Sequence, residues 1–176
     1  MIIWIIAAFV LLTFLSLFMI PKAWLRYLLT ALFGGLTVVS VALLTANMDS
    51  HFGMEKTTTT TTKQVYAMTP EQSPIKAVTS KKIGRDNAVL VYKDQPSDKE
   101  AKAHFAPDTK NMVATSKIRS SAEKTNTSSA QVKTVITNWT YKSDFWEFLF
   151  AHKNDDNTVS VRHHLQVPEN WQIIEK

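Results

Sequence analysis

The chain has 176 residues and no cysteine. That absence excludes disulfides, thiolate nucleophiles and cysteine-based zinc sites together. It suits an exposed domain in a Gram-positive type of envelope, but cytosolic proteins also lack disulfides, so it does not decide the compartment. Glycine is scarce: there are four, and two of them, Gly34 and Gly35, are adjacent in an apolar run. No glycine-rich phosphate loop exists, and no Gly-x-Ser-x-Gly elbow either. Charge is missing where its absence says most. Residues 1–20 and 27–46 contain no Asp, Glu, Lys, Arg or His.

Each of these runs is long enough to cross a bilayer core of ~30 Å at ~1.5 Å per residue. In hydrocarbon the backbone must satisfy its own hydrogen bonds, so each run is expected to be a helix. A cleaved signal peptide is the alternative for the first run. It would need a basic start and a small-residue cleavage site, whereas Met1-Ile2-Ile3-Trp4 has no basic side chain and Pro21-Lys22-Ala23 leads straight into a second span. The six-residue loop 21–26 holds Lys22 and Arg26. The positive-inside rule puts that loop in the cytoplasm and both termini outside. Lys56 and Lys63 oppose this orientation, at lower density and with Asp49 and Glu55 beside them. Trp4, Trp24 and Tyr27 fall near span ends, where amphipathic rings favour the headgroup level. Thr30 stands four before Gly34, and Ala31 four before Gly35. Small residues at that spacing let helix backbones approach closely, so Ala31, Gly34 and Gly35 are candidate packing positions, within the hairpin or toward another membrane protein.

Beyond residue 46 lie 130 residues, enough for one small domain with its own core. The net charge of +5 falls to +3 once the loop pair is set aside, and the charges are dispersed. A nucleic-acid surface needs a concentrated basic patch, so nucleic acid is not an expected partner. Residues 47–56 are taken as a juxtamembrane connector and 57–176 as an extracytoplasmic β-rich domain. Six consecutive threonines, 57–62, begin a strand that continues to Met68. Further strands are expected at 75–79, 88–92, 112–119 and 131–141, the last with Val135, Trp139 and Tyr141 on one parity. Residues 83–87 look like a turn. Residues 93–108 are taken mostly as loop, with a short helical turn after Ser97, and 120–130 as a mobile loop. Residues 144–152 and 158–167, around Asn154-Asp155-Asp156-Asn157, suggest a hairpin. In its register Phe150 faces Val161, Phe148 faces His163 and Trp146 faces Leu165. A helix over 143–152 competes with that strand. Trp171, Ile173 and Ile174 are expected to tuck against the sheet.

No constellation for catalysis or metal binding emerges, and no cofactor is implied. His163 and His164 are adjacent, so on a strand they point to opposite faces and do not easily share an ion. His152 lies across the turn from them, and Asp155 and Asp156 suit the turn by themselves. His104 and Asp108 are four apart but lack an obvious nucleophile. Asp144 and Glu147 do not form a positioned acid–base pair. Asn126-Thr127-Ser128 and Asn138-Trp139-Thr140 match the glycosylation pattern, which matters only in a glycosylating host. The aromatics Trp139, Tyr141, Phe145, Trp146, Phe148 and Phe150 suit a β core better than a sugar platform.

Two features point to a family. One is the helical pair with its Lys-Arg loop. The other is the stretch from Trp139-Thr140-Tyr141 through Asp144-Phe145-Trp146-Glu147-Phe148-Leu149-Phe150, followed by Val167-Pro168-Glu169-Asn170-Trp171. Together they resemble a Gram-positive, lactic-acid-bacterial family of uncharacterised membrane proteins, domain-of-unknown-function family 4811. The resemblance implies no catalytic residues. It implies a location beside multidrug-efflux transporters, and hence a transporter among the expected partners. The expected architecture is a two-helix transmembrane hairpin followed by a small mainly-β, antiparallel-sheet domain in the cell membrane. Its expected role is interaction rather than catalysis. Cell-wall polymer binding through exposed Trp139, Trp146 and Trp171 is the alternative, and envelope hydrolysis a more distant one.

Overall fold

The computed structural model describes residues 1–70, 72–83, 87–152 and 156–175. Along the chain run α1 (Ile2–Met19), α2 (Ala23–Ser50), β1 (Met54–Gln64), β2 (Ala77–Lys82), β3 (Ala88–Tyr92), β4 (Lys102–His104), α3 (Met112–Ser116), β5 (Ile118–Lys124), β6 (Gln131–Tyr141), α4 (Asp144–Phe150), β7 (Thr158–Val167) and β8 (Gln172–Glu175). The architecture is two long apolar helices followed by a small β domain. The chain forms two compact units: Met1–Lys56 with Trp139–Asn157, and Thr57–Asn138 with Thr158–Lys176.

In the first unit α1 and α2 are both long and apolar enough to cross a membrane. They run antiparallel. The Gly34 position on α2 lies opposite Thr13 of α1, and Ile2 at the start of α1 clusters with Leu43 and Leu44 near the end of α2. Their seam uses small polar residues. Ser16 and Ser40 are buried, and Ser16 satisfies its hydroxyl by donating to the Leu12 carbonyl at 2.7 Å. α2 starts earlier and ends later than the apolar run 27–46. Residues 47–50, expected in a connector, remain helical. Ser50 donates to the Ala46 carbonyl at 2.8 Å, and Asn47 Nδ2 to the Phe52 carbonyl at 2.8 Å, so their polar side chains serve the helix end. His51 then closes the helix in the left-handed region with φ 55°. Gly53, with φ 84°, turns the chain into β1.

α4 corrects the expected hairpin. Residues 144–150 are helical, so Phe150, Phe148 and Trp146 do not face Val161, His163 and Leu165. β7 is already paired along both edges: Leu165 stands between Val132 of β6 and Ala122 of β5, and His163 between Thr134 and Ser120. A strand has two edges, so no place is left for a third partner. The segment instead buries Leu149 and Phe150 in a cluster with Ile2, Ile5, Ile6, Leu43, Leu44, Tyr141 and Trp146. Its i, i+3, i+4 apolar spacing and the acidic Asp144 and Glu147 of its first turn favour a helix. Residues 154 and 155 of the turn expected at 154–157 fall outside the described residues, as do residues 84–86 of the turn expected at 83–87.

The second unit holds two four-stranded sheets, ordered β1-β6-β7-β5 and β4-β3-β2-β8. Both are mixed. β6–β7, β2–β3 and β3–β4 are antiparallel, whereas β5–β7 and β2–β8 are parallel. The core draws on both sheets: Val78, Leu90 and Tyr92 from one, Val132, Leu165 and Val167 from the other, joined by Val65 and Trp171. β3, β6 and β7 occupy the residues expected of them. The strand expected at 112–119 does not. Residues 112–116 form α3, capped by Asn111 Oδ1, which accepts the Ala114 N–H at 3.1 Å. β5 occupies 118–124, through much of the expected loop 120–130, because its backbone pairs with β7. β4 lies in the expected loop 93–108, and β8 contains Ile173 and Ile174, paired with Val78 and Thr79. Between Thr137 and Asn138 the register with β7 shifts by one residue, with Ser160 and Thr158 as successive partners.

Candidate functional site

Small residues on α2 divide between two faces. A Cβ on Gly34 would meet Thr13 Cγ2 at 3.9 Å, so Gly34 belongs to the seam with α1. A Cβ on Gly35 would meet nothing within 4 Å, and Ala31, one turn earlier, is exposed. The three packing candidates therefore do not share one surface: Gly34 serves the hairpin, and Ala31 with Gly35 forms an open small-residue strip. Lys22 stands just before α2, without a side-chain capping hydrogen bond, and Arg26 lies in its first turn, where the guanidinium sits 5.1 Å from the Tyr27 ring centre.

A cleft of about 470 Å³ lies in the β domain. Its lining includes Lys82, Arg119, Arg162 and His164 and, as the one carboxylate among the described residues there, Glu175. Arg119 and Arg162 stand directly opposite on the parallel pair β5–β7. Like charges so placed repel. Among the described residues no carboxylate lies within ion-pair distance of either, and Glu175 reaches Lys82 at 3.7 Å. Arg119 spends one nitrogen on the Ser116 and Ile118 carbonyls, at 2.8 and 2.9 Å. At the cleft wall the buried Ser120 hydroxyl joins β5 to the start of β3, accepting the Ala88 N–H at 3.2 Å and lying against Asn87. Sequence reasoning missed this convergence. Arg119 and Arg162 are 43 positions apart, and only the parallel pairing of β5 with β7 brings them together.

The histidines are engaged with neighbours. His104 stacks on Tyr92 at 3.9 Å and lies 3.6 Å from Asp94. His163 lies under Phe105 at 3.7 Å and within 3.0 Å of the Thr134 hydroxyl. Phe105 holds φ 60°, a costly region for a residue with a Cβ, and its ring covers His163 from there. His164 pairs with Ser121 at 2.9 Å, and His51 stacks on Trp139 at 4.2 Å. His163 and His164 have different partners, Thr134 of β6 and Ser121 of β5. Burial, aided by the His164 charge, pushes His163 down to about 4. Burial also lowers His104, against the pull of Asp94. Asp94 is held below its usual value, first by a 2.6 Å hydrogen bond from Lys63. Burial pushes the Tyr92 hydroxyl up to about 12. Among the described residues no three His, Asp or Glu side chains gather as metal ligands.

Of the tryptophans of the alternative reading, one is buried and two, Trp139 and Trp146, are half-buried. Trp171 is buried in the β core. Trp139 carries His51 on one side, with the Lys56 ammonium 5.1 Å from its ring centre. Trp146 packs against Phe52 and Phe150.

A family model, domain of unknown function DUF4811, matches residues 22–176. The chain belongs to this family. The DUF4811 match takes in α2, the β domain and α4, and so covers both the open face of α2 and the basic cleft. No curated protein and no solved structure matches the chain.

Proposed function

We propose that this DUF4811 protein is a two-span membrane protein whose β domain acts by interaction, as an accessory to a transporter or another envelope complex. The observation that carries the reading is the outward surface of α1 and α2. It presents Leu11, Phe14, Phe18, Leu32, Val38 and Val39 without a charged side chain between them. Apolar surface on that scale belongs in lipid rather than water. Lys22 and Arg26 favour a cytoplasmic loop with both termini outside. The strip of Ala31 and Gly35 offers a partner helix a close approach. Histidines committed to stacking and hydrogen bonds support binding over catalysis.

Protease shaving of intact cells tests the side. The β domain is expected to be cleaved from outside, and protection would reverse the orientation and the class of partner. Co-purification in mild detergent tests the interaction. Gly35→Leu is expected to lose a co-purifying membrane protein while the hairpin stays intact. Recovery of the protein alone, with Gly35→Leu harmless in cells, would overturn a helix-mediated partner.

The basic cleft favours a second reading, binding of an anionic cell-wall polymer through Arg119 and Arg162 rather than through the tryptophans. Retention on isolated cell wall that falls about tenfold or more in the Arg119→Ala, Arg162→Ala double variant, as the loss of two charge-assisted contacts implies, would support it. Unchanged retention would remove it.

A further inference from the structure

We propose that α4 is an interfacial helix, which seats Phe145 and Phe148 at the headgroup–acyl boundary of the bilayer that α1 and α2 cross. The inference rests on the two-span reading above.

The placement comes from packing within one compact unit. α4 turns Leu149 and Phe150 onto Ile2, Ile5 and Ile6, the first turns of α1, and onto Leu43 and Leu44 of α2. In an antiparallel hairpin these residues mark one end of both spans. The uncharged run of α2 ends at Ala46, two residues beyond Leu44 and ~3 Å further along the helix at ~1.5 Å per residue. α4 therefore rests at the depth where the apolar run gives way to Asn47 and Asp49. An interfacial helix buries its apolar face ~5–10 Å into that boundary.

The exposed side of α4 has the matching chemistry. Phe145 and Phe148 are each 61% exposed, on a helix of seven residues. At about 100° per residue they continue the arc that Leu149 and Trp146 begin, so the buried and exposed parts form one apolar face. Asp144 and Glu147 occupy the remaining arc and are exposed. Near the same end of the two helices Trp4, Met48 and Phe52 are also exposed, by 76%, 75% and 44%. Indole and phenyl rings at the ends of spans favour the interface. α4 has no basic residue, so the attraction is to the apolar boundary and not to anionic headgroups. A lipid surface fits better than a soluble partner, because this face is continuous with helices whose sides are themselves apolar.

The lack of cysteine makes the test clean, since each introduced thiol is unique. Full-length Phe148→Cys, Phe145→Cys, Leu32→Cys and Ser128→Cys variants carry a nitroxide label in phosphatidylcholine vesicles. Power saturation then compares collisions with oxygen, which concentrates in lipid, and with a water-soluble nickel chelate. Labels at 148 and 145 are expected to favour oxygen over nickel, between the deep label at 32 and the aqueous label at 128. The same depth is expected with phosphatidylglycerol added and at high salt. Nickel access at 148 and 145 equal to that at 128, with 32 still deep, overturns the interfacial helix and leaves the spans intact. Nickel access at 32 as well overturns the two-span reading and this inference with it. Shielding of 148 and 145 from both reagents means that protein, such as a second copy of this chain, covers the face, and it too overturns the proposal. The two phenylalanine sites guard against a local fold defect at either one.

Discussion

Gly53 and His163 show how single residues set the behaviour of their surroundings. Gly53 has φ 84°, and a Cβ there would lie 3.0 Å from Trp146 Cγ and Cδ2. Backbone strain of about 1–2 kcal/mol for a side chain in this region adds to the displacement of the indole. Gly53→Ala is expected to lower the thermal midpoint in detergent, whereas Gly35→Ala, facing open space, leaves it nearly unchanged. His163 makes stability depend on acid. Its folded pKa of about 4 lies below the ordinary value of 6.5. Well above pH 6.5 it is neutral in both states. As pH falls toward 4 the unfolded chain takes the proton first, so stability falls across that window. His104, shifted the same way, adds to the loss, while Asp94, with its lowered pKa, contributes a loss only at still lower pH. The unfolding midpoint is expected to drop between pH 6.5 and 4, and His163→Gln to flatten that drop. An identical pH profile in the variant would show that His163 does not set it.

Among elements, β7 organises the domain. It is central in its sheet and holds Leu165 and Val167, both without solvent exposure. Leu165→Ala is expected to cost about 2–5 kcal/mol, by lost burial and a cavity. Thr60→Ala, on the exposed strand β1, should cost under ~0.5 kcal/mol. Denaturant unfolding in detergent compares them. β7 also explains where element prediction succeeded and failed. Residues 88–92, 131–141 and 158–167 were legible because their β-branched and apolar content matches what sheet burial requires. Residues 144–150 were not, since a run of aromatics satisfies a strand or a helix equally. The decision came from elsewhere: β7 had both edges taken, and the ends of α1 and α2 supplied an apolar surface for α4. α3 and β5 show the same limit. Ser120 and Ser121 look like loop residues until β7 pairs with them.

At the scale of the whole molecule, the division into units cuts across sequence order. Residues 139–157 belong with the helices, although the chain reaches them only after most of the β domain. A chain starting at His51 would lose Ile2, Ile5, Ile6, Leu43 and Leu44 from the cluster that covers Leu149 and Phe150. It is expected to aggregate without detergent. Leu149→Ser with Phe150→Ser in that truncated chain is expected to raise the soluble fraction. Size-exclusion chromatography distinguishes the outcomes, and a monodisperse truncated chain with native Leu149 and Phe150 would refute the expectation.

The sequence by itself determined the two apolar helices, the β-rich character of the chain beyond them and the family, whereas the joining loop expected at 21–26 is shorter because α2 begins at Ala23. The helices and the β-rich character arise from local composition: uncharged runs of about twenty residues, and strands rich in β-branched and aromatic side chains; the family rests on the motif residues from Trp139 to Phe150 and from Val167 to Trp171. Only the tertiary structure decided that Gly34 and Gly35 serve different faces, that Arg119 meets Arg162, that Trp171 lies in the β core and that 144–150 is a helix. Each of these depends on partners distant along the chain. A residue's own chemistry says what it can pair with, but strand register and helix packing decide which partner arrives.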